Sequence, residues 1–433
     1  MRISSKGFPI LLSGALVFSV SCHDGGGNPA APAITSFGVN PASVPYGGTA
    51  TLTGVFTNGT GVITPGGLQA TSGQPLVVTP VTVGVYTLTV TNSAGQATTQ
   101  TATLTVTNAL SVFAGNPGGS GSANGTGSSS TFYNPGGLAV DGSGNVYVAD
   151  TENETIRKVS ALGVVSTLAG NPGVASPAGA FSAPCGVAFC PSSNLVYVVD
   201  SGACTVSTIT PAGVVTLLAG QAFKPGSANG LGSAASFNFP SGLAVDQSGN
   251  VYVADSRNDT IRMITPAGLV STVAGTPGNA GSANGPGPAA SFDLPNGVAV
   301  DTTNAIGTIY VADSGNNLIR QITPAGVVSI LAGSGSAGSA DGTGAAASFW
   351  DPTDLALDGS GYLFVVDHAN NTIRKINTST GEVQTVAGVA GPGVGEVVPG
   401  ALPGSLATPY GIALDSAGHV FITDQNAILE ITF

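Results

Sequence analysis

The chain has 433 residues with a formal net charge of −12, and 7% of the residues are charged. So few basic side chains argue against a nucleic-acid-binding protein, which needs clustered Lys and Arg to hold phosphates. Hydrophobic residues reach 42% and glycine and proline number 65 and 28, so the composition excludes a disordered chain and favours short strands joined by many turns.

The first segment predicts a signal peptide over residues 1–21, because basic residues precede an apolar run too short to span a membrane. The run ends Ser19-Val20-Ser21-Cys22, which resembles the lipobox of bacterial lipoproteins. This resemblance implies that Cys22 is lipidated and anchors the protein. Ordinary cleavage after Ser21 is the alternative, and both predict export.

A Gly-, Ala- and Pro-rich tether over residues 22–33 follows and would hold the rest of the chain away from the membrane. Lipoproteins that are not sorted to the outer membrane carry Asp directly after the lipidated cysteine. His23 stands at that position here, so the same resemblance implies that the protein lies in the outer membrane of the cell envelope. Without lipidation the protein would be extracellular.

Residues 34–107 predict a small β-sandwich. Short runs rich in Val, Thr and Leu alternate with turns, and Tyr86–Val90 alternates polar with apolar side chains, as a strand with one buried face does. The stretch Gly84–Asn92 resembles bacterial Ig-like domains, with Tyr86 at the position of their tyrosine corner. We expect this domain to act as a spacer.

Residues 110–433 contain six near-copies of one unit. Each copy has a strand-like run ending in aspartate: Val146–Asp150, Val196–Asp200, Val251–Asp255, Ile309–Asp313, Leu363–Asp367 and Val420–Asp424. These aspartates recur every 50 to 58 residues, and each unit shows four strand-like runs bounded by turn residues. This period and strand number predict the blade of a β-propeller.

The ends of the array favour a closed ring. The last unit stops after three strand-like runs, and the segment 110–115 before the first complete unit matches the missing outer strand. Pairing the two would satisfy both exposed sheet edges, which an open solenoid would leave unpaired. The predicted fold class is therefore all-β, a six-bladed β-propeller preceded by an Ig-like sandwich.

The stretch Pro240–Arg262 resembles the NHL repeat almost throughout, and the resemblance extends over 110–433. It implies the propeller fold and leaves the function open, since NHL-type propellers include RNA-binding modules, extracellular sensors, protein-binding scaffolds and a lyase.

Half of the 22 acidic residues end the first or second strands of the units, where we expect them to accept hydrogen bonds from turns. Arginine recurs at one position of the third strand. We expect these arginines along blade surfaces, paired with aspartates or carbonyl groups. The repeated arginines are Arg157, Arg262, Arg320 and Arg374.

The sequence predicts no catalytic set, no metal ligands and no cofactor. Of the three histidines, His23 lies in the tether, and His368 and His419 fall in turns that open on opposite faces of a propeller. These two therefore cannot share one ion. A hydrolase or lyase that holds a divalent metal in the channel stays the alternative.

Three cysteines belong to the second unit. Cys185 and Cys204 are expected at the same end of that blade, so we predict a disulfide between them and a free buried thiol at Cys190. The alternative is that all three are reduced core residues.

The loop face of the propeller is the predicted binding surface. Four Gly-Ser-Ala-Asn-Gly-like loops lead to a phenylalanine and, three residues on, a proline, with a variable pair between. The candidate rim residues are Tyr133, Asn134, Phe239, Arg257, Trp350, Asp351 and His368. Large aromatic side chains in such a place anchor proteins or glycans, although Trp350 could also be a packing residue.

We therefore predict a non-enzymatic binding or scaffolding protein. Its ligand would be a protein or a glycan and not a nucleic acid, and it would touch the membrane through its lipid alone. A purely structural component of the envelope is a further alternative.

Overall fold

The computed structural model describes residues 29–45, 49–78, 84–107, 109–172, 181–302, 307–391 and 395–433. The predicted signal peptide, the lipidation site Cys22 and most of the predicted tether lie outside these residues. The described chain divides into two compact units, and strands dominate both. No helix among the described residues has the length and apolar character needed to cross a bilayer.

The amino-terminal segment forms two sheets. In spatial order they are Ala33–Asn40, Ala50–Thr57 and Pro75–Val78, and Ser43–Pro45, Ala97–Thr107, Gly84–Thr91, Thr60–Thr64 and Leu68–Ala70. Alternate residues of the central strands are buried, as expected for strands with one inward face. A Cβ at Gly54 of the first sheet would lie 2.6 Å from Leu88 of the second, so the sheets face each other. The segment is a β-sandwich, and its Ig-like classification stays a prediction.

Six antiparallel sheets form the propeller, one for each repeat, and we number them blades 1 to 6. Their strands, from first to fourth, are Pro135–Val140, Val146–Asp150, Thr155–Val159 and Val164–Ala169 in blade 1; Pro184–Cys190, Leu195–Asp200, Thr205–Ile209 and Val215–Gly220 in blade 2; Pro240–Val245, Val251–Asp255, Thr260–Ile264 and Leu269–Ala274 in blade 3; Pro295–Val300, Ile309–Asp313, Leu318–Ile322 and Val327–Ala332 in blade 4; Pro352–Leu357, Tyr362–Asp367, Thr372–Asn377 and Glu382–Gly388 in blade 5; and Pro409–Leu414, Val420–Asp424, Ala427–Thr432 and Ala109–Gly115 in blade 6.

Two smaller kinds of element complete the blades. Two-residue strands in the loops before five of the first strands pair with the fourth strand of the same blade: Gly125–Thr126, Gly230–Leu231, Gly285–Pro286, Gly342–Thr343 and Gly400–Ala401. Short 3-10 helices lie at Gly127–Ser129, Thr151–Asn153, Gly232–Ala234, Ser256–Asn258, Gly287–Ala289, Ser314–Asn316, Gly344–Ala346 and His368–Asn370.

The ring closes through blade 6, whose fourth strand comes from the start of the propeller. Ala109–Gly115 pairs antiparallel with Ala427–Thr432, and Val112 lies opposite Leu429. The first strands of blades 1 and 6 also contact each other. The predicted six-bladed, all-β fold is confirmed.

Apolar side chains fill the spaces between blades. Tyr197 and Val206 of blade 2 pack with Val251 and Val253 of blade 3. Blade 6 packs on blade 1 in the same way. Each sheet therefore buries both faces against its neighbours, which is how twisted four-stranded sheets are stabilised in a ring.

In four blades a buried ion pair joins the second strand, the third strand and the preceding loop. In blade 1 the Nη1 of Arg157 lies 2.6 Å from Asp150, and its Nη2 donates to the carbonyl of Ala123 and to Asn124 Oδ1. The guanidinium also lies over the ring of Phe132. The equivalent pairs are Arg262–Asp255, Arg320–Asp313 and Arg374–Asp367, at 2.6–2.7 Å.

The prediction that these arginines lie along blade surfaces is wrong, because all four side chains are 0% exposed. A guanidinium tolerates complete burial when its charge and most of its N–H groups are paired. The carboxylate supplies the counter-charge, and the loop supplies the remaining acceptors.

Blades 2 and 6 lack both the arginine and the Gly-Ser-Ala-Asn-Gly-like loop. Ser207 and Leu429 stand at the arginine position. The aspartate remains, and backbone N–H groups satisfy it instead: Asp200 accepts from Ser182, Ala183 and Ala203, and Asp424 accepts from Ala407 and Thr408. The arginine and the loop that it binds thus occur together.

We expect Arg320→Leu to lower the free energy of unfolding by about 3–5 kcal/mol, because it leaves Asp313 buried without its partner. Chemical denaturation measures this loss. Adding Asp313→Asn to the same chain should recover part of it, since the unpaired charge is then removed and an acceptor for the N–H group of Asp293 is kept. Lys224→Leu, which removes an exposed cation, is the control and should change stability by less than about 0.5 kcal/mol. A loss below about 1 kcal/mol in Arg320→Leu would contradict the prediction.

Candidate functional site

The rim of the loop face is built on the same aspartates. The variable pair in each Phe-to-Pro segment begins with a residue whose backbone N–H donates to the aspartate that ends the second strand. The four bonds are Tyr133 to Asp150, Asn238 to Asp255, Asp293 to Asp313 and Trp350 to Asp367, at 2.7–2.9 Å. The buried ion pair therefore also positions the rim.

The second residue of each pair has a left-handed backbone. Its φ is 48° at Asn134, 47° at Phe239, 48° at Leu294 and 53° at Asp351. Asparagine and aspartate tolerate this conformation, whereas phenylalanine and leucine are strained in it. In three of these residues the backbone N–H group donates a hydrogen bond to a side chain of the preceding blade. The bonds run from Asn134 to Asn426, from Leu294 to Asp259 and from Asp351 to Asn317.

Three large aromatic side chains project from this rim in alternate blades. Tyr133 of blade 1, Phe239 of blade 3 and Trp350 of blade 5 are 47%, 40% and 50% exposed. The exposure of Trp350 argues against a packing role for it. The structure therefore places the predicted aromatic candidates around one face and does not gather them into one pocket.

Each aromatic side chain has a distinct setting. Tyr133 and Asn134 line a shallow cavity of about 450 Å³ together with Glu152 and Asn426. The guanidinium of Arg257 stacks on Phe239, with its Cζ 3.7 Å from the ring centroid.

Trp350 borders a cavity of about 310 Å³ lined by Gly338, Ala369 and Asn370. Asp351 beside it is exposed. These settings offer flat apolar faces next to hydrogen-bonding groups, which is the chemistry that sugar rings and peptide side chains match.

His368 does not belong to the exposed rim, although we predicted it there. Its Nδ1 lies 2.7 Å from the carbonyl oxygen of Pro409 in blade 6, and its ring meets Tyr410 edge-on. The residues at the same position in blades 1 to 4 donate to the proline carbonyl of the next blade in the same way: Thr151, Ser201, Ser256 and Ser314. His368 is thus a link between blades, and its Nδ1 carries the proton because a carbonyl only accepts.

The predicted Cys185–Cys204 disulfide is not present, since Cys185, Cys190 and Cys204 are all free thiols. Cys204 has a left-handed backbone, and its thiol turns back to the carbonyl of Ser201. The thiol of Cys185 instead points at blade 3 and donates to the carbonyl of Ser241. Burial raises the pKa of Cys185 to about 12, so it is an unreactive thiol near neutral pH.

The central channel is a second candidate site, where the sequence offered only a metal-dependent enzyme as the alternative and did not single out a residue. Towards the face opposite the rim it widens into a cavity of about 590 Å³. The ends of the six first strands line this cavity with Val140, Phe189, Val245, Val300, Leu357 and Leu414.

Towards the rim the channel is constricted, because the first strands approach each other backbone to backbone. A Cβ at Gly186 or Gly242 would overlap the carbonyl oxygen of Ser241 or Asn296 in the next blade, so glycine is required. Blade 5 departs from this rule and carries Asp354 at the equivalent position.

Asp354 lies where the cavity meets the constriction. Its Oδ1 accepts the N–H of Leu355, and its Oδ2 accepts the N–H of Ile412 in blade 6, both at 2.9 Å. Burial raises the pKa of Asp354 to about 7. The sequence signal was present, since Pro352-Thr353-Asp354 breaks the Pro-x-Gly pattern of the other five blades.

Among the described residues, no three His, Cys, Asp or Glu side chains converge as a metal site requires. His419 lies 2.9 Å from Asp415 in a first-to-second turn, on the face away from His368.

Comparisons with known proteins agree with the fold. The family model described as "NHL repeat" matches residues 132–159 and 237–262, in blades 1 and 3. Protein SUPPRESSOR OF QUENCHING 1, chloroplastic, of Arabidopsis thaliana is 29% identical over 289 residues, which are 62% of this chain and 27% of that protein. The chain thus spans about a quarter of the length of that curated relative.

Two solved structures are similar over nearly the whole chain. A structural genomics protein of unknown function from Bacteroides thetaiotaomicron has a TM-score of 0.60 at 19% identity, over 93% of this chain and 98% of that one. An auxiliary nutrient binding protein from Bacteroides ovatus has a TM-score of 0.58 at 16% identity, over 94% and 99%. Similarity at this level of identity shows a shared fold.

We expect His368→Ser to be at least about 1 kcal/mol more stable than His368→Ala, because serine makes the equivalent inter-blade bond in blades 2 to 4. The difference is measured by chemical denaturation of the two variants. Equal stability of the serine and alanine variants would show that the bond to Pro409 does not stabilise the ring.

Proposed function

We propose that this chain is an extracytoplasmic binding or scaffolding protein, anchored through Cys22, that uses the loop face of its propeller to bind a protein or a glycan. The observation that carries the proposal is the set of exposed aromatic side chains, Tyr133, Phe239 and Trp350, in the variable pairs of alternate blades.

The exposed aromatic rim lowers the stability of the folded protein, which supports a functional reason for its presence. Phe239 combines an exposed ring with a strained left-handed backbone, and a polar residue or glycine would fit that position at lower free energy. Exposed large rings also lose the stabilisation that burial would provide. Features of this kind concentrate where a protein contacts ligands.

The residue types match those that dominate binding energies. Tyrosine, tryptophan and arginine are enriched among the residues whose truncation weakens protein interfaces most. The stacked Arg257 and Phe239 present a charge beside a flat apolar face, and Tyr133 lies close to the carboxylate and amides of its cavity. An extended ligand that touches several blades fits this arrangement better than a compact molecule in one pocket.

Two further points support the location and the role. The predicted signal peptide and Cys22 point to export, and the net charge of −12 disfavours nucleic acid. The auxiliary nutrient binding protein from Bacteroides ovatus, which shares the fold, is a binding protein. We extend a binding role to this chain on the strength of its rim.

The mature protein, immobilised and exposed to glycan arrays and to envelope extracts, should retain a defined glycan or protein. Trp350→Ala, Tyr133→Ala and Phe239→Ala should each lower the affinity for it about tenfold or more, since each removes an aromatic anchor. Leu162→Ala is the control, because Leu162 is an apolar residue that is 78% exposed and lies in a third-to-fourth turn away from the rim.

Retention of the same ligand by all three rim variants at wild-type affinity would overturn the assignment of the binding surface. If Leu162→Ala also abolished retention of the ligand, the binding would be non-specific adsorption. That result would count equally against the assignment of the binding surface.

A further inference from the structure

The channel cavity has the size and lining of a small-molecule site. Its volume of about 590 Å³ lies within the range of pockets that hold small ligands. Most residues of the wall are apolar and come from the strand ends of all six blades, although polar atoms make up more than half of the surface that lines the cavity. Tyr310, Ser360 and Thr378 add hydroxyl groups near the opening. The described lining residues include no Lys, Arg or His.

Asp354 places a carboxylate at the inner end of this cavity. The other five blades carry glycine at this position, so the carboxylate is not part of the repeated framework. Each of its oxygens accepts one backbone N–H and has a further lone pair for a ligand. Asp301 also lines the cavity.

We propose that this cavity binds a small organic ammonium ion, whose apolar body packs on the first-strand ends and whose N–H groups donate to Asp354. An organic cation supplies a counter-charge for Asp354, and its hydrocarbon part packs on the apolar side chains of the strand ends. A carboxylate or phosphate ligand would meet charge of its own sign. A neutral alcohol would leave the buried carboxylate without a counter-charge.

The protonation of Asp354 sets the pH range of this binding. Burial raises its pKa to about 7, so the ionised form that an ammonium ion requires is lost below that pH. The other titratable groups nearby are Tyr410 and Cys185 in the constriction, Tyr310 in the wall and Asp301. Burial raises the pKa values of the two tyrosines and of Cys185, so these three stay neutral between pH 5 and 8.

Isothermal titration calorimetry with 2-phenylethylamine, and with 2-phenylethanol as its neutral counterpart, tests the proposal on the mature protein. At pH 8 the amine should bind at least tenfold more tightly than the alcohol. Its affinity should fall by about tenfold for each pH unit below 7, whereas that of the alcohol should not change, because a proton then competes with the ammonium ion for Asp354.

Asp354→Gly, which installs the residue of the other five blades, should abolish the preference for the amine. Leu162→Ala is the control and should leave it unchanged, since Leu162 does not line the cavity. The aromatic rim residues do not line the cavity either, so failure of the rim proposal would not affect this result. A preference that survives in Asp354→Gly would overturn the inference, as would the absence of saturable amine binding to the wild-type protein at pH 8.

A measurement on the unaltered protein keeps the test independent of how the variants fold. Amine binding at pH 7 should release about half a proton, because it displaces the proton that Asp354 holds in half of the molecules. Titrations in two buffers of different ionisation enthalpy measure this release. Binding without proton release would exclude Asp354 as the partner of the amine.

Discussion

The aspartate at the end of each second strand is buried, so its carboxylate needs hydrogen-bond donors or a counter-charge. Much of the propeller framework supplies these groups. In four blades an arginine from the third strand provides the counter-charge, and its Nη groups also donate hydrogen bonds to the preceding loop. The same carboxylate accepts the N–H of Tyr133 or Trp350 at the rim. One buried interaction therefore connects the sheet, the loop and the surface that we propose for binding.

This arrangement separates stability from recognition. The ion pair and the inter-blade hydrogen bonds use residues that recur, whereas the side chains of the variable pair point outward and differ from blade to blade. A tyrosine, a phenylalanine or a tryptophan can therefore occupy the rim without disturbing the framework beneath it. The two candidate surfaces lie at opposite ends of the first strands, so the proposal for the rim and the proposal for the channel cavity can be tested independently.

Residues that differ from the usual residue of the repeat introduce chemical groups that the other blades lack. Asp354 replaces a glycine in the channel, and its carboxylate reaches the N–H of Ile412 across the gap between blades 5 and 6. His368 also departs from the repeat, yet it makes the bond that serine makes elsewhere and so keeps a structural role. A residue that differs from the repeat therefore indicates a special function only when its contacts show that it has not simply kept the interaction made by the usual residue.

Residue order alone is enough to predict the blade number, the four strands of each blade and the closing strand, because the period, the alternation of polar and apolar residues and the missing outer strand can all be read along the chain. It also located Tyr133, Phe239 and Trp350 at the rim. The burial of the arginines, the inter-blade bond of His368, the free thiols of Cys185 and Cys204 and the place of Asp354 in the channel were decided by the tertiary structure. Each depends on groups that a different blade or a folded-back loop brings close, and the spacing of residues along the chain does not record those distances.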